Sequence, residues 1–181
     1  MVCSTYLQEL ETYFILVISS LSLLSSLAVI TAILYRGLHN FLSFKILLYI
    51  SLNDLIRSIG GFLESLSESS IACSITGYFG NFSFISDLFW STYLSQSIYQ
   101  IVVLESPNPE KFHRLWFFIS FILTGIIESI PFFNNTFRKD RFICNLAANY
   151  DGDIYRITLI YLPLSINIIM ITYFFLVSLE K

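Results

Sequence analysis

Four polar residues sit where an apolar chain can least afford them. The stretch LNDLIRSIGG places Asn53, Asp54 and Arg57 inside an otherwise apolar run, and the run from Cys73 to Ile101 carries Asp87 as its single charge. A charge within lipid is costly and normally pairs inside a helix bundle, so it marks a structural lock or a ligand or ion site. Asp54 and Arg57 are spaced three apart, which puts them on one helical face within reach of each other. Counting about 1.5 Å per residue along a helix brings Arg57 and Asp87 to similar depth. The expectation is a nearly neutral cluster in which Arg57 bridges both carboxylates and ties one helix to the next; a ligand or ion site with Asp87 as counter-charge is the alternative.

Other chemistry is poorly represented. There is no HExxH, no Ser/His pair in an apolar segment and no paired catalytic aspartates in a small-residue context, so no enzyme is expected. The three cysteines (Cys3, Cys73, Cys144) form no CxxC, and His39 and His113 lie far apart. No metal site and no cofactor are expected, because tetrahedral sites usually need four N or S ligands.

The elements that must hold these residues are membrane spans. Of the 181 residues 55% are hydrophobic and 13% charged, against roughly 25% charged in soluble domains. The net charge of −3 is scattered, which argues against a nucleic-acid partner or a polybasic lipid-binding tail. Uncharged or nearly uncharged runs predict helices at about 13–35, 43–64, 71–104, 114–132 and 155–179, each long enough for a hydrocarbon core that takes about 20 residues. The fold class expected is all-α, a polytopic transmembrane bundle of five helices in membrane lipid, with 1–181 forming one domain. Basic residues after the first run and none before it place the amino terminus outside.

That topology puts Cys73 and Cys144 on the same outer, oxidising face, where a disulfide would pin the long loop over the mouth of the bundle. Glu64, Glu128 and Arg156 fall near outer helix ends and are candidates for a ligand entrance. Trp116 reads as an interfacial anchor, and Pro163 as a proline tolerated within the last helix. Asn134-Asn135-Thr136 is a glycosylation sequon close to the membrane, and Asn81-Phe82-Ser83 a second one inside a helix.

The combination of Cys73, Gly77-Tyr78-Phe79-Gly80 and Ser86-Asp87-Leu88-Phe89-Trp90, with LNDLIRSIGG before it and Tyr161-Leu162-Pro163 after Cys144, resembles the cyclic-AMP-receptor-like G-protein-coupled receptors of slime moulds. The resemblance covers most of residues 13–178. It implies a plasma-membrane receptor that senses an extracellular ligand and signals to a heterotrimeric G protein. It also implies that Cys73 and Cys144 correspond to that family's helix-to-loop cysteine pair. Arg36, His39, Lys45, Lys111, His113 and Arg114, in the two inner turns, are then the candidate G-protein contacts. An anionic ligand such as a cyclic nucleotide would suit Arg156. Such receptors have seven helices and five are read here, so the expectation is a partial seven-helix fold from a truncated sequence. A small transporter or channel component using the Asp/Arg cluster is the reading from another class.

Overall fold

A computed structural model describes residues 2–66, 69–105, 109–140, 143–147 and 149–179. The proline turn at 106–108, Arg141 and the Glu180-Lys181 end lie outside the described residues.

Among the described residues five long helices dominate. Helix α1 (Val2–Tyr35) continues the first apolar run back toward the amino terminus. It stops at Gly37, whose φ of 64° is a left-handed turn that glycine adopts without strain. A short turn at Leu38–Asn40 leads into α2 (Leu42–Leu66). Ser69 then opens α3 (Ser70–Val102) by accepting a hydrogen bond from the Ala72 amide at 3.0 Å.

Helices α4 and α5 are each interrupted by a widened π-type turn. In α4 (residues 113–133) that turn is Phe118–Leu123, and the Thr124 hydroxyl donates to the Ile119 carbonyl at 2.9 Å. In α5 (residues 150–179) the turn is Arg156–Tyr161, just before Pro163, which has no N–H to give the preceding turn. Asn149 caps the start of α5 by accepting from the Gly152 amide.

Thr12–Tyr35, Leu42–Glu64, Glu110–Phe133 and Tyr150–Ser178 are long and apolar enough to cross a membrane. Helix α3, at 33 residues, is long enough but less apolar. Its position explains the difference, since it packs against α2, α4, α5 and the hairpin described below, while α1 packs on α2. A helix enclosed by others need not present a greasy face to lipid. Its hydroxyls are satisfied by its own backbone, as in Ser83 to the Phe79 carbonyl and Ser97 to the Tyr93 carbonyl.

The long polar loop is not structureless. Strands β1 (Phe137–Asp140) and β2 (Ile143–Leu146) pair antiparallel, with Phe137 opposite Leu146 and Lys139 opposite Cys144. Alternation turns Phe137, Cys144 and Leu146 inward, all buried, and leaves Arg138 and Asn145 exposed. At the other end of the bundle Trp90 and Tyr93 are fully buried against Ile46, Tyr49, Trp116 and Phe121.

Candidate functional site

The hairpin is fastened to the bundle at several points. Gly77 on α3 lets the Phe137 ring pack closely against the helix, since a Cβ there would stand 2.5 Å from the ring. Cys73 and Cys144 are joined by a disulfide, with their Cα atoms 5.2 Å apart. The Glu64 carboxylate accepts a hydrogen bond from the Cys144 amide. Arg156 donates to the Leu146 carbonyl and pairs with Asp153 at 3.3 Å. Glu64 and Arg156 therefore brace the hairpin instead of standing free at a rim.

Beneath it is a polar cleft of about 230 Å³ between α1, α2 and α3, lined by Arg57, Glu64, Thr76, Asn81 and Asn145 among others. A second groove, about 280 Å³ and almost wholly apolar, lies between α3 and α4 around Tyr78 and Phe132. Only the first offers charge and directed hydrogen bonds, the features that orient a small ligand.

At the cleft's inner end the α2 and α3 polar residues meet. Asn53 is fully buried and its amide donates to Ser86 and to Asp87, each at 2.9 Å. Arg57 lies 3.9 Å from Asp87 and 5.6 Å from the centre of the Phe84 ring. The bridge from Arg57 to a second carboxylate is not formed: among the described residues no ion pair joins Arg57 to Asp54. Sharing a helical face permitted that contact, but Asp87 on the neighbouring helix takes the guanidinium instead. The tie between α2 and α3 thus runs through Asn53 and Arg57 to Asp87.

Glu128 departs further from its expected place. It is 1% exposed, and its Oε2 has no hydrogen-bond partner among the described residues. Glu128 does lie near the end of α4, which stops at Phe133, but its side chain is enclosed and does not face a mouth. The sequon residue Asn134 donates to the Tyr155 hydroxyl at 2.7 Å.

At the opposite end, Arg36, His39, Lys111 and Arg114 are exposed. Lys45 is held by Glu110 at 3.2 Å, which clamps the two turns together. His113 is not a free contact. Its ring packs 5.9–6.0 Å from those of Tyr49, Trp90 and Tyr93, and its Nδ1 is buried. Trp116, read as a lipid-interface anchor, instead donates to Gln96 at 2.7 Å and stacks on Tyr93. One further residue escaped the reading of spacing. Asn167 of α5 is buried and donates to the Leu88 carbonyl and the Thr92 hydroxyl of α3. The signal was available, because a lone amide in an uncharged span needs a partner within the bundle.

Long apolar helices around a more polar central helix, with a disulfide-tied hairpin over a cleft, describe a multi-pass membrane protein. The chain belongs to the slime mold cyclic AMP receptor family, whose family model matches residues 4–180. It is 29% identical over 97 residues to cyclic AMP receptor 2 of Dictyostelium discoideum. The matched stretch is 54% of this chain and 25% of that relative, so the chain matches about a quarter of the relative's length.

Proposed function

We propose that this chain senses an extracellular ligand at the plasma membrane and passes the signal to a heterotrimeric G protein. The observation that carries the reading is the cleft under the hairpin: a polar, roofed space open to small molecules and in direct contact, through Arg57, with the tie between α2 and α3. The hairpin end faces outside, where the disulfide is stable, and the exposed basic turns at the other end, with Arg36, His39, Lys111 and Arg114, face the G protein. The relative's name adds the ligand class, a cyclic nucleotide. Signalling is a shift between helix arrangements that bind the ligand unequally.

Family membership favours a receptor over a transport path. Asn53 and Arg57 also converge on the one carboxylate of Asp87, whereas a conducting route needs polar stations spread through the membrane. The test is binding of labelled cyclic AMP to membranes carrying the protein, with nucleotide exchange on co-expressed G protein as second readout. Saturable binding coupled to exchange is the expected result; binding absent from intact, correctly inserted protein refutes the reading.

A further inference from the structure

Of the polar groups that line the cleft, Glu64 accepts from the Cys144 amide and the Thr76 hydroxyl donates to the Ala72 and Cys73 carbonyls. Two donors stand out beside them. Asn81 presents a buried Nδ2 that has no hydrogen-bond partner among the described residues. The Arg57 side chain is 42% exposed, and its ion pair to Asp87 is long, at 3.9 Å. Asp87 does not depend on it alone, because Asn53 donates to the same carboxylate at 2.9 Å.

The glycines of the cleft fall into two sorts. Gly61 and Gly77 are packing glycines, with Ser19 and Phe137 where a Cβ would go. Gly60 and Gly80 line the cleft, yet a Cβ on either would meet nothing within 4 Å. Their missing side chains are therefore part of the open volume and not a packing requirement.

We propose that Arg57 and Asn81 hold the acidic group of a small organic anion in this cleft, with its body against the bare backbone of Gly60 and Gly80. Arginine suits the role because its fork of donors matches the oxygens of phosphate and carboxylate. Binding draws Arg57 from Asp87 to the ligand, leaves Asp87 to Asn53, and so loosens one strand of the tie between α2 and α3. The inference rests on the receptor reading for its consequence, not for its geometry. Two sources supply the chemistry, a soluble phosphate ester and the head group of an anionic lipid.

The test uses the purified chain in nanodiscs of either neutral or anionic lipid, probed with a labelled cyclic nucleotide and, separately, with a labelled anionic lipid. Arg57→Gln, Asn81→Leu and Gly80→Val should each weaken binding at least tenfold. Gly80→Val should do so with an unchanged melting temperature, and Gly60→Ala serves if it does not fold. Asp87→Asn, which removes the competitor for Arg57, should tighten binding severalfold. Full-strength binding of the cyclic nucleotide to the Arg57 and Gly80 variants overturns the site and leaves the receptor reading standing. Binding only of the anionic lipid, lost in the same variants, upholds the site and overturns the reading of a soluble ligand. No binding of either probe overturns both, and an unchanged affinity in Asp87→Asn overturns the exchange.

Discussion

Docking of the hairpin through Gly77 makes a prediction in which a substitution changes sign with its background. In Gly77→Ala the new Cβ stands 2.5 Å from Phe137 Cδ1 and 3.1 Å from two further ring atoms, so ring or helix must move. Overpacking of this sort costs about 1–3 kcal/mol. Alanine returns about 0.5–1 kcal/mol through its better fit to a helix interior. That gain is present whether the hairpin is docked or not, so docking alone loses the overpacking cost of about 1–3 kcal/mol, which raises the undocked population of the hairpin roughly 5- to 150-fold. Phe137 is 3% exposed, and Phe137→Ala removes a buried ring at up to about 3–5 kcal/mol. With the ring gone, Gly77→Ala has nothing to strike and becomes neutral or mildly stabilising. The assay is native-state proteolysis of the hairpin in detergent under conditions where opening and closing outpace cleavage, so that rate follows the open population. The single substitutions and the double form a cycle. An equal increase in cleavage from Gly77→Ala with and without Phe137 would refute the close-approach argument.

Three further outcomes are expected. Asn167→Ala should destabilise α5 against α3 by about 1 kcal/mol, near twice the average of 0.6 for one interhelical bond in a membrane, and a cycle with Thr92→Val in denaturant titrations should show coupling between the two sites. Cys144→Ser should lower the melting temperature: the bridge spans a sequence separation of 71, for which chain entropy gives about 4 kcal/mol as a ceiling, reduced because inserted helices already restrict the unlinked chain. Lys45→Ala should shift stability by less than about 1 kcal/mol, and less still at high salt, since an exposed ion pair is weak and screened; a large, salt-independent loss would point to another role for Lys45.

The spans were legible because lipid demands long apolar runs, and four of the five helices announce themselves that way. The fifth, α3, is legible as a long run of apolar and small residues with the single charge Asp87. The hairpin was not legible: its strands are four residues each, and the inward set of Phe137, Cys144 and Leu146 is interleaved with Arg138 and Asn145. In the site, spacing gave the shared face of Asp54 and Arg57 but could not say that Asp87, one helix away, would hold the guanidinium. Glu128 reads as a rim residue because it falls near the outer end of its run, yet packing encloses the acid. The inner turns looked uniformly basic, while packing sorted them into exposed charges, the Lys45–Glu110 clamp and a histidine within an aromatic cluster.

The polarity of α3 has a consequence for how the molecule is made. A segment carrying Asn81, Asp87, Gln96 and Gln100 along with its many hydroxyls gains little by entering hydrocarbon alone. Entry in company with α2, which supplies Asn53 for Asp87 in the folded bundle, offsets that cost. Insertion and assembly are then one event for the central helix. A change such as Asn53→Leu, lying on a different helix, should show itself first as α3 left out of the membrane and the chain's later helices inverted, before any question of ligand or signal arises.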